Sequence, residues 1–589
     1  MTTNTIYHPR KESQDLLDDE AFLNEWRRLY KSCTWATAFQ SLEFVTTWYD
    51  SYKEHYSPIL ICERSLKGEL VGLIPLALEN RSKAVVVAGA HQAEYQAWLA
   101  LPGGGNSFIE DGMNKLAREV PTSTLRFRYI PPGTPMEWTK SRPDVSWKCE
   151  IAQHSRYVVR IDNEVEVADY LQKRNRHTKN FWNRFKRLGD IRLEEIRDPR
   201  QLAPIFDQLI TYYDIRLGAA YDKLPFRNDP VKKSFHLAML GVPNLLHVSI
   251  FKAGETIISA LFGIVDGKTY SLAMPMFSPQ YADNSPIMLH LLLLSQRLHQ
   301  EGFSTLDLTA GDEWYKERVS TNHDYVHEVE VYFRQTAWVR HRTKKLGTAI
   351  ARAALRAVRV DPKTARRQLE RLAQVPFGLR PSALAGKSAM LLRRICSTVE
   401  LRVYALETRS VPCLKHPAMD RDRLVDLLEF EPAVGRARQD FLAESLKRIA
   451  KGHHCYTRVE NHRLLHRGWS AEVRDTISSP KMAQEFRFRP GSVVFYDSFT
   501  DPRWRGRGLY TSALYQMLCD AIHIAGAKQV YVAVTSDNQV ARHVIEKLGF
   551  SHLGTLFGSM RFGPSHDWVK ELSAEERKST VKWVLHQAD

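Results

Sequence analysis

Cysteine is scarce in this chain of 589 residues. Seven thiols, Cys33, Cys62, Cys149, Cys396, Cys413, Cys455 and Cys519, are odd in number and scattered, with no C-x-x-C pair and no Cys/His cluster. That argues against a disulfide framework and a zinc site, and fits reduced thiols in a cytoplasm. Long apolar runs are missing too. The longest, PIMLHLLLL (286–294), is too short to cross a bilayer. The opening MTTNTIYHPRKESQDLLDDE holds no apolar stretch of the secretory-signal kind. The expected protein is soluble and cytoplasmic, at most peripheral at the inner face of a membrane. No low-complexity repeat is visible.

What is present is an ordinary globular composition, 43% hydrophobic and 25% charged, over a length that calls for two to four domains. The net charge of +16 points to acidic partners such as nucleic acid, anionic lipid or phosphorylated cofactors. Much of it sits in residues 334–372, where only Asp361 and Glu370 oppose a long series of Arg and Lys. Within it Leu346, Ile350, Ala354 and Val358 recur at helical spacing. Such a helix suits an anionic membrane or nucleic acid. It equally suits a solvated linker that covers part of a domain.

Strand-like and helix-like runs alternate along the rest, which predicts mixed α/β sheets. Residues 19–150 hold a helical QSLEFVTTWYDSY and strand-like SPILICER, ELVGLIPLAL and AVVVAGA. Residues 155–335 open on a strand, RYVVRI, followed by a basic helix at 168–188 and more strands. Residues 336–385 form a basic helical linker. Residues 400–565 form a further α/β unit in which LVDLLEF is expected to be helical and two strands meet at Glu460-Asn461.

The sharpest local feature is RWRGRGLY (503–510), between a strand-like SVVFYDSF (492–499) and an apolar-periodic helix. A helix start offers unpaired N–H groups and the positive end of a dipole, and glycines let a phosphate approach that backbone. Arg503, Arg505 and Arg507 add charge. Further on, QVYVAVTSDNQVARHVIEKLGF (529–550) reads as a strand, Asn538 at its end, and a helix closed by Gly549.

Arg505, Gly506 and Gly508 with Asn538, Ala541, Glu546, Lys547, Gly549 and Phe550 make this part resemble the GNAT superfamily of acyl-CoA-dependent N- and O-acyltransferases. The resemblance implies that amides from Arg505, Gly506, Arg507, Gly508, Leu509 and Tyr510 bind the diphosphate of CoA. It also implies that the strand near Ser498, Phe499 and Thr500 splays to hold the pantetheine arm, with Asn538 where the backbone parts. Two departures stand out. Tyr510 fills a small-residue position, from which it is expected to point out of the helix. Ile545 replaces the tyrosine that often protonates the leaving thiolate, so Tyr531, Tyr515 or solvent is the expected substitute. The run from Asp497 to Tyr510 is also similar to GNAT domains found among bacterial polysaccharide-biosynthesis genes.

Residues 19–335 carry AFQSLEFVTTWYDSY, HQAEYQAWL, KRNRHTKNFWNRFKRL and LDLTAGDEWYKERV. In combination these resemble the CelD/BcsL acetyltransferase group, related to the FemABX aminoacyl transferases. That implies two tandem GNAT-like subdomains, at 19–150 and 155–335. Read without the family, Asp307, Asp312, Tyr315, Lys316 and Arg318 cluster past a strand end. Carboxylates there can accept a substrate proton, and Lys316 can hold a phosphate or carboxylate. The alternative is a salt-bridged surface loop. Arg174, Arg176, Lys179, Arg184, Lys186 and Arg187 share one helix, as a ligand face or a solvated one.

The expected chemistry is direct attack of an amine or hydroxyl on an acyl-CoA thioester, acetyl-CoA first, with no metal. Asp497 is the candidate base, Glu472 the second; the alternative for Asp497 is an ion pair with Arg503 or Arg505. His453, His454, His462 and His466 show no metal-ligand spacing. The expected acceptor is a small molecule or a glycan in exopolysaccharide or cell-envelope synthesis, with residues 334–372 touching an anionic membrane and nucleic acid not a partner. Two alternatives stay open: aminoacyl transfer from tRNA, and a non-catalytic scaffold docked to a membrane synthase.

Overall fold

A computed structural model describes residues 4–120, 124–140, 147–311, 313–357, 398–408, 418–432, 437–473, 477–478, 485–486, 490–559 and 566–568. The chain divides into two compact units, one of residues 1–214 and 224–365, the other of residues 215–223 and 366–589. Expectations at Asp312 and at residues 358–385, including Val358 of the apolar stripe, lie outside the described residues.

The first unit opens with β1 (Asn4–His8), α1 (Arg10–Leu17), α2 (Glu20–Ser32) and α3 (Leu42–Tyr52). Asp19 and Ser41 cap α2 and α3 by accepting from the Ala21 and Phe44 amides. β2 (Tyr56–Arg64), β3 (Leu70–Glu79), β4 (Val85–Val87) and β5 (Leu99–Ala100) complete a five-stranded antiparallel sheet, on which α4 (Gly105–Glu119) packs. SPILICER and ELVGLIPLAL are strands as expected, because both bury nearly continuous apolar runs. AVVVAGA is a strand only at its valines, since Gly89 turns the backbone left-handed.

The second sheet of this unit is larger. Its strands are β6 (Thr124–Ile130), β7 (Lys148–Arg160), β8 (Ile191–Ile196), β9 (Leu246–Ala253), β10 (Thr256–Asp266), β11 (Thr269–Phe277), β12 (Thr305–Ala310) and β13 (Asn322–Tyr332). They lie in the order β6-β13-β7-β12-β11-β10-β9-β8. Its helices are α5 (Glu164–Lys186), α6 (Pro199–Tyr221), α7 (Val231–Gly241), α8 (Pro286–Gln300), α9 (Trp314–Val319) and α10 (Gln335–Ala357). The subdomain border expected at 150–155 falls inside β7. That strand pairs with β13 without a break from Lys148↔Tyr332 to Val158↔Asn322, so no linker exists there. The start of α10 lies against the sheet, where His341 and Lys345 pair with Glu150 of β7. Leu346 is exposed. The start of the basic segment thus covers a domain surface.

The second unit is built from β14 (Thr398–Glu407), β15 (Asp420–Arg421), α11 (Arg438–Ala450), β16 (His454–Glu460), β17 (Arg463–Glu472), β18 (Ile477–Ser478), β19 (Glu485–Phe486), β20 (Ser492–Thr500), α12 (Leu509–His523), β21 (Gln529–Thr535), α13 (Gln539–Lys547), β22 (Ser551–Ser559) and β23 (His566–Trp568). Apart from the β18–β19 pair, they form one sheet in the order β15-β16-β17-β20-β21-β14-β22-β23. The hairpin at Glu460-Asn461 is present; Asn461 and His462 both take positive φ, the geometry of a tight two-residue turn. LVDLLEF is a 3₁₀ turn, not an α-helix. The core between sheet and helices joins Val493, Phe495, Val530 and Val532 to Leu514 and Met517 of α12 and Ile545 of α13. No helix among the described residues is long and apolar enough to cross a membrane.

Candidate functional site

In the second unit, β20 and β21 run parallel and pair from Ser492↔Gln529 to Phe495↔Val532. Past that point they part, although β20 continues to Thr500 and β21 to Thr535. A bulge helps drive them apart. Against β17, Arg467 faces Phe499 and Trp469 faces Tyr496, so Gly468 alone opposes Asp497 and Ser498. Asp497 carries the extra turn at φ 47°. The gap is a cleft of about 1410 Å³. Ser498, Phe499, Thr500, Arg505, Gly506, Gly508, Leu509, Tyr510 and Asn538 of the expected carrier-binding set all line it.

The turn into α12 has the geometry that its sequence implies. Gly506 and Gly508 take φ of +80° and +75°, and a Cβ on either would meet nothing within 4 Å. Gly508 is the N-cap, without a side chain to satisfy the first-turn amides. Those amides are open to an anion. Arg505 is exposed and reaches the Thr500 carbonyl at 3.4 Å. Arg507 stacks over Trp504 at 4.3 Å. Arg503 turns away, to Asp501 at 2.7 Å and Glu431 at 3.2 Å. Asn538 caps α13 by accepting from the Ala541 amide. Tyr510, expected to point out of its helix, is half-buried against the core and within 6.3 Å of the His466 ring. These features fit an acyl-CoA, which needs an anion-binding turn beside a slot between strands.

Asp497 pairs with neither Arg503 nor Arg505. Its Oδ2 accepts from Arg448 Nη1 at 2.6 Å, and its Oδ1 lies 4.0 Å from Arg467 Nη2. Arg448 is buried, lies over the rings of Trp469 and Tyr496, and also pairs with Glu444 at 3.2 Å. Asp497, Arg448, Glu444 and Tyr496 all line the cleft. The Tyr496 hydroxyl contacts His453 Nδ1. Burial lifts the Tyr496 pKa, so its O–H stays protonated, and burial beside Arg448 lowers His453 to about 4, leaving it neutral. His466 joins Thr500 Oγ1 at 2.8 Å.

Tyr531 is a correction. It lies on the opposite face of β21, in a cluster with Val473, Val494 and Ala405, and its hydroxyl donates to Gln529 at 2.6 Å. Alternate residues of a strand face opposite sides, so Val532 and Val534 reach the α12 core and Tyr531 cannot. Ile545 is fully buried in that core. Arg448, Glu444 and Tyr496 were not legible as site residues. No local motif marks Arg448, which lies 49 positions from its partner, and the bulge that presents Tyr496 has no sequence signal.

The first unit repeats the strand geometry without the turn. β11 and β12 pair in parallel only from Thr269↔Thr305 to Ser271↔Asp307, while β11 runs on to Phe277. The helix between them starts at Ser285-Pro286, where the proline ring has no N–H to offer. Asp307 is 1% exposed and fully engaged: Tyr95 donates to it at 2.8 Å, Arg156 at 3.2 Å and the Thr309 amide at 2.7 Å. Lys316 is buried, donates to the Ala310 carbonyl at 2.9 Å and pairs with Glu313 at 3.1 Å. Tyr315 packs against the core of the sheet. Asp307 and Lys316, expected to bind substrate, are therefore internal struts, because burial removes them from any ligand. On α5, Arg176, Lys179, Arg184, Lys186 and Arg187 are exposed, a solvated face.

Residues 172–317 match the acetyltransferase (GNAT) domain, and residues 472–550 match the acetyltransferase (GNAT) family. No curated protein matches the chain. Among solved structures, FemX is similar over 53% of this chain and 95% of its own, at 11% identity and a TM-score of 0.36. The C-terminal domain of a putative lysylphosphatidylglycerol synthetase from Agrobacterium fabrum is similar over 56% and 95%, at 11% identity and a TM-score of 0.34. A tandem GNAT protein from the clavulanic acid biosynthesis pathway covers 56% and 98%, at 12% identity and a TM-score of 0.33. Two regions of this chain, residues 172–317 and 472–550, thus each match a GNAT-type acetyltransferase domain.

Proposed function

We propose that the second unit is an acyl-CoA-dependent acyltransferase, with acetyl-CoA as the first donor to try and an amine or hydroxyl of a glycan or small molecule as acceptor. One observation carries the reading. The cleft between the diverging ends of β20 and β21 is bordered by the open left-handed glycines that start α12. The contrast with Pro286 in the first unit supports placing the donor in the second half.

Bound acyl-CoA would supply an activated acyl thioester; the rest falls to this chain's own groups. Amides of Gly506 to Tyr510 hold the diphosphate, with Arg505 adding charge. The walls at Ser498–Thr500 and Asn538 keep the arm extended. Asp497, held by Arg448, accepts a hydrogen bond from the attacking amine or hydroxyl and orients it. An amine that has begun to bond to carbonyl carbon is acidic, so the carboxylate can take its proton. The Tyr496 O–H donates to the departing sulfur, the role left empty by Ile545.

The acceptor side of the cleft, lined by Asp497, suits a hydroxyl- or amine-bearing ligand. A glycan precursor of the cell envelope meets that description, and a cytoplasmic site at the membrane would give access to it. Calorimetry of the full chain with acetyl-CoA, followed by a thiol-release screen with sugar nucleotides and amines, tests both halves of the reading. Absence of acyl-CoA binding by the wild-type chain would refute it.

A further inference from the structure

At one edge of the larger sheet in the first unit, three side chains from three elements converge. Glu195 lies on the edge strand β8, His247 on its neighbour β9, and Glu301 is the C-cap of α8. One ligand atom of each lies within 4.8 Å of the others, and His247 Nε2 stands 3.7 Å from Glu195 Oε1. Ligands about 2.1 Å from a shared tetrahedral ion sit about 3.4 Å apart. Modest side-chain rotations therefore close the set.

The imidazole gives this cluster its meaning. His247 is 8% exposed, yet neither ring nitrogen reaches a hydrogen-bond partner. A buried polar group without a partner is costly and calls for an explanation. Tyr270, whose ring meets His247 edge-on at 5.3 Å, also has a buried hydroxyl without a partner. Each carboxylate gives one oxygen to an arginine, Glu195 to Arg197 at 2.7 Å and Glu301 to Arg297 at 2.6 Å, and keeps a second. Those arginines weaken the pull on a cation. The carbonyl end of α8, next to Glu301, strengthens it. Glu195 and Glu301 are partly exposed and leave a path from solvent.

We propose that Glu195, His247 and Glu301 bind one divalent first-row transition ion of the zinc class, with water in the remaining position. One imidazole with two carboxylates favours such an ion over calcium or magnesium, which take oxygen ligands alone. Two carboxylates and a neutral imidazole also match its charge. The ion ties the exposed edge strand β8 to the end of α8, so its role is structural and separate from acyl transfer.

The test uses the full chain, stripped with EDTA and titrated with Co²⁺. One equivalent should give the visible d–d absorption of a four- or five-coordinate cobalt site, displaced by Zn²⁺, and Zn²⁺ should raise the melting temperature. Glu195→Gln and Glu301→Gln should lose both effects while melting like the wild type in EDTA; His247→Gln is the third variant. Equal cobalt spectra in wild type and both glutamine variants would overturn the site. So would a sulfur-to-cobalt charge-transfer band, which assigns the ion to cysteine, or no stoichiometric uptake at all.

Discussion

Arg448 Nη1 donates to Asp497 Oδ2 at 2.6 Å, joining a buried cation on α11 to the bulge of β20. The pair holds the carboxylate in place at the cleft. Asp497→Asn should lower kcat by about 10²- to 10⁴-fold, the usual range for a positioned acid or base. It should leave the acetyl-CoA Kd unchanged, because the diphosphate turn is untouched. A variant with wild-type kcat would remove Asp497 from the chemistry.

Gly506→Val separates carrier binding from folding. The added Cβ meets no protein atom, but φ of +80° costs a non-glycine residue about 1–2 kcal/mol. The expected result is a small drop in melting temperature with loss of most acetyl-CoA affinity by calorimetry. Undiminished affinity would mean that the diphosphate binds elsewhere.

Two tyrosines one strand apart should behave oppositely. Tyr496→Phe removes the hydroxyl that contacts His453 and should slow thiol release. Tyr531→Phe removes the bond to Gln529, worth about 1 kcal/mol of stability, and should leave kcat alone. The reverse ranking would restore Tyr531 as the acid.

Buried histidines should make the first unit acid-sensitive. His290 is held between Ser249 at 3.0 Å and Ser259 at 2.9 Å, and burial lowers its pKa to about 3; His236 is likewise lowered to about 3. Unfolded, each titrates at about 6.5. The unfolded chain therefore binds more protons between these values, and stability present above pH 6.5 is lost as pH falls. The slope is about 1.4 kcal/mol per pH unit for each histidine. His290→Asn should flatten the fall in melting temperature between pH 6 and 5. An unchanged profile would show that His290 is protonated in the folded state.

Asp307→Asn tests the strut assignment. Arg156 would lose one of its two carboxylate partners and keep Asp324, at 2.6 Å. Removing one partner of a buried pair typically costs about 3–5 kcal/mol; the retained Asp324 should place the loss at the low end. Thermal melting should register it. A variant of full stability that fails only in acceptor binding would return Asp307 to the substrate.

The sequence was most informative where chemistry is local. The glycine turn before α12, the left-handed Gly549 that closes α13 and the hairpin at Asn461 each depend on a few consecutive residues, and each is found where expected. The first-unit cluster misled because Asp307, Tyr95 and Arg156 meet only through strand pairing across long separations. No short window shows that a carboxylate will be sealed by a tyrosine 212 positions away. The face of β21 on which Tyr531 lies follows from a period of two, but the inward face is set by α12 and α13.

β6 joins the sheet through β13, and the start of β7 does the same. The piece 19–150 cut out alone would carry β6 and a three-residue stub of β7 without their partner, with amides and carbonyls laid open along a sticky rim that invites self-association. Scissors intended to leave the first unit whole should fall beyond Lys345, the last described contact of α10 with β7.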